Sequence, residues 1–354
     1  MLLVFGLAAL AWFGGGLIGL PRQARALILA LLYIAVLMVH VALPEGHPLR
    51  VATGGGPAFW LILGGFGLLG AGYALVLRRL RGRAAAKEAA EAPAPRPGAM
   101  SEAQLERYAR HIVLREIGGT GQRALGEAKV LVVGAGGLGA PALQYLAAAG
   151  VGTVGVIDAD LVENANLQRQ VIHRDADIGV PKVFSAQAAM EAQNPYVTVR
   201  PYHRRLTEEI AAELFADYDV ILDGSDNFET RELVNRAAVA AGRPLVWGAI
   251  AQWEGQVAVF DPARGGPCYA CVFPERPAPG LAPSCAEAGV VGPLPGVVGA
   301  MMAVEAVKLI AQVGAPLVGR LMLYDALYAE ARVIAVAPRP GCPVCGGGTA
   351  PTGA

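Results

Sequence analysis

The stretch 129–160 constrains the fold of this chain more than any other part of its sequence. A short apolar run, Lys129–Val133, predicts a buried strand, and the pattern G-x-G-x-x-G follows it directly. Residues 140–149 predict a helix, and Thr153–Ile157 predicts a second strand that ends in Asp158. An acid at this distance beyond the glycines is where a doubly wound nucleotide-binding unit holds a ribose hydroxyl. The stretch therefore predicts a Rossmann-like nucleotide site.

Glycines in such a turn let the backbone approach phosphates closely, and the following helix offers free N–H groups and the positive end of its dipole to an anion. The glycines concerned are Gly134, Gly136, Gly137 and Gly139. The alternative interpretation is a tight turn in an α/β sheet that binds nothing. The stretch alone does not distinguish ATP from a dinucleotide such as NAD, because an acid would hold a ribose of either one.

Alternating strand and helix patterns continue along the chain as far as a predicted strand at 245–249. This alternation predicts a mostly parallel sheet. A Pro/Gly-rich loop at 275–295 then precedes a predicted helix at 299–312, and residues 320–325 and 330–336 predict paired strands. We therefore expect an α/β fold with a doubly wound, mostly parallel sheet and a small antiparallel extension.

Residues 1–80 are almost free of charge, and they contribute to a hydrophobic content of 54% for the 354-residue chain. Three stretches are apolar enough to span a bilayer: Met1–Leu20, Ala26–Leu43 and Ala58–Leu77. Four arginines follow the third stretch, and the positive-inside tendency places them in the cytoplasm. They are Arg78, Arg79, Arg81 and Arg83. We therefore expect a three-helix, multi-pass segment in the lipid of the cell inner membrane, with the rest of the chain cytoplasmic. A basic patch on a soluble helix, the alternative, leaves the three uncharged stretches unexplained.

Shifts in composition give the expected domain boundaries. The transmembrane segment, 1–80, precedes an Ala/Pro-rich linker at 81–100. The α/β domain occupies 101–345, and a short tail, 346–354, follows it. The formal net charge of zero offers no basic field to a polyanion, so we expect no nucleic-acid partner.

The chain has five cysteines: Cys268, Cys271, Cys285, Cys342 and Cys345. Four of them form two C-x-x-C pairs, which predicts one tetrahedral Zn²⁺ held by four thiolates in a reducing compartment. Four thiolates close the coordination shell, so this ion would be structural. The two pairs are too far apart in sequence for a self-contained zinc ribbon, so the fold must bring them together. The alternative is four unlinked thiols.

Seven motifs occur along the chain in a recognisable order. They are RYARHIVL at 107–114, GAGGLG, DADLVENANLQRQ, PK at 181–182, DGSDN, CYAC and CPVC. On these motifs the chain resembles the MoeB/ThiF/HesA family of ubiquitin-activating-type adenylyltransferases, over roughly 101–345. The resemblance implies that ATP and Mg²⁺ are used to adenylate the C-terminal carboxylate of a small ubiquitin-like sulfur carrier of the MoaD/ThiS type, which ends in Gly-Gly. Pyrophosphate leaves, and the activated carrier goes on to thiocarboxylate formation in molybdopterin, thiamin or related sulfur metabolism.

The resemblance also implies roles for individual residues. The glycine turn approaches the phosphates, and Asp158 binds the ribose. The residues directed at the triphosphate are Asn166, Arg169 and Lys182. Asp226 is the acid associated with Mg²⁺ and adenylation, and Asn227 adjoins it. Taken singly, Arg169 and Lys182 are also explained as solvated surface charge, and Asp226 as a helix cap or Asx turn.

Two further residues complete the implied catalytic set with Asp226, Arg169 and Lys182. Arg110 matches an arginine that dimers of the family supply across the subunit interface, which implies a homodimer. Cys285 matches a cysteine that, in some members, links covalently to the carrier or passes sulfur. A small loop residue without chemistry is the alternative for Cys285, because the reactivity of a thiol depends on its local pKa.

The chain departs from the family pattern at several points. Ala165 stands where many members have Ser, and no rhodanese-like domain follows Cys345, so a persulfide donor would be a separate sulfurtransferase. The apolar segment lies outside the resemblance. Two competing hypotheses remain: an NAD-dependent oxidoreductase with the same glycine fingerprint, and a non-catalytic membrane scaffold. The first leaves the basic residues and the four paired cysteines unexplained, and failure to bind ATP would favour the second.

Overall fold

The computed structural model describes residues 1–54, 56–91, 100–278 and 288–346. The chain divides into two compact units, Met1–Gly98 and Ala99–Ala354. Each unit has its own elements and its own apolar clusters.

The first unit is built of helices. They are α1 (Leu2–Ala9), α2 (Gly15–Leu17), α3 (Arg22–Ala42), α4 (Pro48–Thr53) and α5 (Pro57–Glu91), with a π-helical turn at Leu10–Gly14 between α1 and α2. Helix α3 and the Pro57–Arg83 part of α5 are long and apolar enough to cross a membrane. The expected first span, Met1–Leu20, forms a shorter apolar run, Leu2–Leu17, that the π-helical turn interrupts. The unit therefore has three apolar helical segments, of which two have full membrane-spanning length.

Residues 84–99 of the linker are expected from their composition to be semi-extended, and this prediction is wrong over the first half. Helix α5 continues without a break through Ala84 to Glu91. Its residues there are mostly Ala with Lys and Glu, which are strong helix formers, and the first proline comes only at Pro93. The remainder of the linker, 92–99, lies outside the described residues.

The second unit is organised around one eight-stranded sheet. Its strands are β1 (Lys129–Val133), β2 (Thr153–Ile157), β3 (Thr198–Tyr202), β4 (Val220–Asp223), β5 (Leu245–Ala251), β6 (Glu254–Phe260), β7 (Arg320–Asp325) and β8 (Glu330–Ala335). They lie in the order β3-β2-β1-β4-β5-β6-β7-β8. The first five in this order are parallel, and the pairs from β5 to β8 are antiparallel. This is the predicted doubly wound sheet with its antiparallel extension. The chain reverses its winding between β1 and β4, the switch point at which such sheets bind ligands.

Helices cover both faces of the sheet. They are α6 (Glu102–Arg107), α7 (Ala109–Ile112), α8 (Gly118–Glu127), α9 (Gly139–Ala149), α10 (Lys182–Gln193), α11 (Glu208–Ala216), α12 (Phe228–Ala241), α13 (Tyr269–Val272) and α14 (Pro293–Ala311). Alternate side chains of β1 enter different cores. Val130 and Val132 pack with residues of α8, α9, α10 and α14, whereas Leu131 and Val133 pack with residues of α11 and α12. The unit therefore has three layers, with the sheet in the middle.

Helix α14 is the one element of this unit that also has the length and apolarity of a membrane span within the described residues. Half of it is buried against the sheet and neighbouring helices, so the packing of the unit accounts for its apolar character. It begins at Pro293, earlier than the expected residue 299, because proline is well suited to the first turn of a helix. The last residues of the expected loop at 275–295 therefore belong to the helix.

Candidate nucleotide site and cysteine cluster

The glycine turn between β1 and α9 is closely packed against itself. Gly134 has φ +94°, a conformation that side chains rarely adopt, and a Cβ there would lie 3.1 Å from the carbonyl oxygen of Gly224. A Cβ at Gly139 would overlap the carbonyl oxygen of Gly134 and lie 2.9 Å from its carbon. Both positions therefore need glycine for reasons internal to the fold. A Cβ at Gly136, in contrast, would meet no atom closer than Nε2 of Gln170, at 3.7 Å.

Two amides in the middle of this turn are free to bind a ligand. Among the described residues, the backbone N–H groups of Gly136 and Gly137 have no hydrogen-bond partner. They immediately precede α9, whose N-terminus carries partial positive charge. The arrangement suits an anion such as a phosphate.

Asp158 joins this turn to the end of β2. Its Oδ2 accepts a hydrogen bond from the backbone N–H of Ala135 at 2.8 Å, and its Oδ1 accepts one from the N–H of Asp160 at 2.8 Å. The side chain is partly exposed. Each carboxylate oxygen can accept a second hydrogen bond. Asp158 is thus held in place while keeping acceptor capacity for a hydroxyl, as a ribose contact requires.

Arg169 lies beside the same turn. Its Nη2 donates to Oδ1 of Asn166 at 3.1 Å, and its Nη1 donates to the carbonyl of Ala165 at 3.2 Å. Its Cδ is 3.8 Å from the position that a Cβ on Gly137 would occupy. The short 3₁₀ turn Asn164–Asn166 therefore presents one cation directly next to the free amides.

Lys182, the first residue of α10, is buried with its charge compensated. Its side chain is only 6% exposed, and its Nζ lies 2.8 Å from Oδ2 of Asp160, whose side chain is 66% exposed. The Lys182 backbone N–H also donates to the carbonyl of Asp160 at 2.9 Å. Because its ion-pair partner Asp160 is exposed, the ammonium of Lys182 can exchange that partner for an incoming phosphate oxygen with little change in its own burial.

The loop after β4 approaches the glycine turn through Gly224 and carries the expected acid. Asp226 is exposed and makes no hydrogen bond to another described residue. Asn227 caps α12, since its Oδ1 accepts the N–H of Thr230 at 2.9 Å. The structure thus gives Asn227 a definite role in helix capping and leaves the carboxylate of Asp226 free to bind a ligand.

Strand β4 ends in a carboxylic acid, Asp223, that is not among the site residues predicted from the sequence. Asp223 is fully buried, and its Oδ1 accepts hydrogen bonds from the N–H and hydroxyl of Ser225 at 2.9 and 2.6 Å. Its Oδ2 has no partner among the described residues. Burial raises the pKa of Asp223, although the charge of Arg231 and the bonds from Ser225 oppose this. Only its position at the end of a buried strand hinted at a special environment.

Two predicted catalytic residues are not brought into this site. Arg110, on α7, is exposed, and its side chain makes no hydrogen bond or ion pair with any other residue described. Cys285 lies outside the described residues. The groups that the structure does bring together are the glycine turn, Asp158, the Arg169 turn and the loop carrying Asp226.

The four paired cysteines converge. Cys268 Sγ lies 3.7 Å from Cys271 Sγ and 3.6 Å from Cys342 Sγ, and Cys271 Sγ lies 3.4 Å from Cys345 Sγ. All four sulfurs are within 4.8 Å of one another, too far apart for disulfides. A tetrahedral Zn²⁺ with bonds of about 2.3 Å separates its sulfurs by roughly 3.8 Å. The donor set and its spacing therefore fit one structural zinc ion, which would tie α13 to the C-terminal segment.

The environment of the sulfurs is uneven. Burial raises the pKa of Cys268 and of Cys271. Burial is the largest single influence on Cys342 and would raise its pKa, but hydrogen bonds from the backbone of Cys345 and Val344 and from the side chains of Cys271 and Cys268 together outweigh it and lower the pKa of Cys342 to about 6. Backbone N–H groups that stabilise a thiolate are what a metal-binding turn supplies.

The fold and the site together define a class of protein: a Rossmann-type nucleotide-binding domain with basic side chains and a free carboxylate around its glycine turn, and with a four-cysteine cluster. Within this class, the chain belongs to the ThiF family, which residues 108–344 match.

Known proteins give the same picture. The chain is 55% identical over 247 residues to the sulfur carrier protein adenylyltransferase of Thermus thermophilus, covering 69% of this chain and 91% of that protein. It is 51% identical over 248 residues to the probable adenylyltransferase/sulfurtransferase MoeZ of Mycobacterium tuberculosis, covering 69% of this chain and 63% of MoeZ. A crystal structure of E. coli MccB with MccA-N7isoASN has a TM-score of 0.60 at 22% identity, over 70% of this chain and 76% of that chain, which shows a shared fold.

Proposed function

We propose that this protein adenylates the C-terminal glycine carboxylate of a ubiquitin-like sulfur carrier at the expense of ATP. The observation that carries the proposal is the meeting of three groups at the switch point of the sheet: the free amides of the glycine turn, Arg169 beside them, and the loop after β4, which contacts the turn at Gly224 and carries the unpartnered carboxylate of Asp226. A dinucleotide site needs the first group only. The relative from Thermus thermophilus, which is named as a sulfur carrier protein adenylyltransferase, supports the substrate class.

In the proposed reaction, a carboxylate oxygen of the carrier's terminal glycine attacks the α-phosphorus of ATP. The bond from that phosphorus to the bridging oxygen breaks, and pyrophosphate leaves. Negative charge accumulates on the α-phosphate and on the leaving group. Amides and cations fixed in position beforehand stabilise that charge more effectively than water does.

Different residues of this site bind different parts of the nucleotide. Asp158 holds the ribose, which fixes the nucleotide along the sheet edge. The amides of Gly136 and Gly137 and the guanidinium of Arg169 face the phosphates, and Lys182 supplies a second cation once it exchanges Asp160 for a phosphate oxygen. Asp226 would hold Mg²⁺, which would supply positive charge to the phosphate groups.

The two-subunit arrangement is also a proposal. Arg110 has no partner among the described residues of its own chain, as expected for a side chain that completes the site of a second copy. A surface cavity of about 830 Å³ lies between α9 and α14, with exposed apolar side chains along it. They include Tyr145, Val171, Val297 and Val304. An apolar surface of this kind suits a homodimer interface.

The helices of the first unit support membrane attachment. Helix α3 and the first part of α5 expose large apolar side chains along their length, including Leu31, Ile34, Leu61 and Phe66. We propose that these helices lie in the inner membrane, with the arginines at the end of the apolar part of α5 on the cytoplasmic side. Zn²⁺ bound by the four cysteines would stabilise the fold, and a separate sulfurtransferase would provide sulfur.

The test is exchange of labelled pyrophosphate into ATP by the full-length protein in detergent, with and without a carrier ending in Gly-Gly. Exchange should depend on the carrier and should be lost in Asp226→Asn. Asp217→Asn is the matched control, because Asp217 is an exposed acid before β4, at the opposite end of the strand from Asp226. Undiminished exchange in Asp226→Asn would refute the assignment of that residue, and reduction of NAD⁺ without exchange would favour an oxidoreductase.

A further inference from the structure

His173 is a buried histidine that contacts the glycine turn and that none of the roles above uses. It is 6% exposed, and its Nε2 lies 2.9 Å from the carbonyl oxygen of Ala135, within the turn. Its Nδ1 lies 2.9 Å from Oγ of Ser185 on α10, and that hydroxyl lies 2.7 Å from Oδ2 of Asp177. A short polar chain thus runs from an acid on the surface to the phosphate-binding turn.

The hydrogen-bonding capacity of these partners determines which ring nitrogen of His173 carries a hydrogen in both protonation states. A carbonyl oxygen only accepts hydrogen bonds, so Nε2 of His173 must carry a hydrogen and donate it to Ala135. In the neutral ring, Nδ1 accepts the hydroxyl hydrogen of Ser185, which then has no hydrogen left to donate to Asp177. In the charged ring, Nδ1 donates to Ser185, which in turn donates to Asp177. The bond to Ala135 is therefore kept in both protonation states.

The surroundings favour the neutral ring. Burial lowers the pKa of His173, and the nearby charge of Lys182 lowers it further. The bond to Ala135 and the charges of Asp158 and Asp177 oppose that change without reversing it. A neutral His173 adds no charge to the site, so its effect on a bound triphosphate comes from the orientation that its hydrogen bond imposes on the Ala135 carbonyl.

The bond from His173 determines which way the peptide unit between Ala135 and Gly136 faces. In a trans peptide the C=O and the following N–H point in opposite directions. With the carbonyl of Ala135 held on His173, the N–H of Gly136 points away from the histidine ring. That N–H has no partner among the described residues. Without His173, the carbonyl would be free to rotate toward the phosphates, where its negative end repels them.

We propose that His173 is a positioning residue for the triphosphate, which holds the Ala135 carbonyl away from the nucleotide and presents the Gly136 N–H to a phosphate oxygen. The proposal rests on the proposed function only in taking ATP as the ligand. Ser185 orients the ring in both protonation states, and Asp177 accepts the hydroxyl hydrogen of Ser185 only when the ring is charged.

Three variants of the full-length protein in detergent test this. Nε2 of a glutamine can take the place of the histidine Nε2, so His173→Gln should bind a non-hydrolysable ATP analogue within about threefold of wild type. The shorter amide of His173→Asn reaches Ser185 but not Ala135, and His173→Leu has no donor. Both should bind the analogue roughly tenfold more weakly, as expected for loss of one hydrogen bond and an inverted peptide dipole. KM for ATP should rise, while KM for the carrier stays unchanged.

Equal loss of ATP affinity in His173→Gln and His173→Asn would overturn the proposal, as would wild-type affinity in His173→Asn. The Gln–Asn comparison stays decisive even where His173→Leu does not fold, and melting temperatures report any general loss of structure. Normal carrier-dependent exchange with unaffected variants would refute only the positioning role. ATP binding that follows the expected order in a protein without exchange activity would refute only the proposed function.

Discussion

The two glycines Gly139 and Gly136 occupy the same turn, but the structure predicts opposite consequences for the same substitution. In Gly139→Ala the new methyl group would overlap the carbonyl of Gly134, and the atom it meets is backbone that cannot swing aside. In Gly136→Ala the nearest atom is Nε2 of Gln170 at 3.7 Å, an ordinary contact. The first substitution therefore disturbs the fold, and the second disturbs only what the turn binds.

The size of the first effect follows from the geometry. The Cβ of Gly139→Ala would lie 2.9 Å from the carbonyl carbon of Gly134, against an ordinary separation of at least about 3.5 Å. Overpacking of this kind costs about 3 kcal/mol. Alanine recovers about 1 kcal/mol of this in a helix. The net loss of about 2 kcal/mol corresponds to a fall in melting temperature of about 4–8 °C for a unit of this size.

The assay is thermal unfolding of the full-length protein in detergent, without nucleotide and with saturating ATP. In the absence of nucleotide, Gly136→Ala should have the same melting temperature as wild type. Because the backbone can no longer come as close to a phosphate, it should bind ATP at least about tenfold more weakly, which is about 1.4 kcal/mol. The stabilisation that ATP confers on wild type should shrink accordingly.

A Gly139→Ala protein that melts within a degree of wild type would show that the turn is less closely packed than the structure indicates. If Gly136→Ala lowers the melting temperature as much as Gly139→Ala does, the distinction between packing and binding is wrong. If it binds ATP as well as wild type, the phosphates do not lie on this turn.

Three further outcomes are expected. Removal of metal by a strong chelator should release about one zinc per chain and lower the melting temperature. Cys342→Ser should be purified without zinc, whereas Cys285→Ser should retain it. Stoichiometric zinc in Cys342→Ser would contradict the four-thiolate site. Burial raises the pKa of Asp223, so the folded state binds its proton more tightly than the unfolded state, and stability is lost as pH rises above the unfolded value near 3.8. Asp223→Asn lacks this loss, so its melting temperature relative to wild type should rise as the pH is raised from about 3.8 to neutrality, and a constant difference over that whole range would refute the argument. If Arg110 acts across a dimer, coexpressed Arg110→Ala and Asp226→Asn chains should recover about a quarter of wild-type exchange, since a random mixture leaves that fraction of sites intact; no recovery would place Arg110 in its own chain's site.

Local pattern was sufficient for the centre of the fold. The bounds of β1 and β2 agree with the prediction to the residue, because short apolar runs bounded by turn residues have few alternatives. Helix α8 was not predicted, since Gly118, Gly119, Gly121 and Gly126 make its intrinsic propensity poor, and it exists because Leu125 and neighbouring residues pack into the core beside α14. The two short helices α6 and α7 are separated at Tyr108, which is buried and receives a hydrogen bond from Asn194, far along the chain.

The site shows the same division. Asp158 and the four clustered cysteines were identified from motifs with fixed spacing, and the structure places the sulfurs together. His173 and Ser185 gave no such signal, because their significance arises only when α10 packs against the glycine turn. Asp223 was passed over for a related reason: full burial of a carboxylate is a property of tertiary packing that a strand ending in Asp does not reveal.

The fate of each phosphate of ATP distinguishes adenylation of a carrier from simple hydrolysis of ATP. The full-length protein is incubated with a Gly-Gly carrier and ATP labelled either at the α-phosphate or at the γ-phosphate. If the protein is an adenylyltransferase, α-label becomes attached to the carrier as AMP and γ-label appears only in pyrophosphate, with both products absent in Asp226→Asn. Release of γ-label as orthophosphate together with ADP, and no label on the carrier, would contradict it.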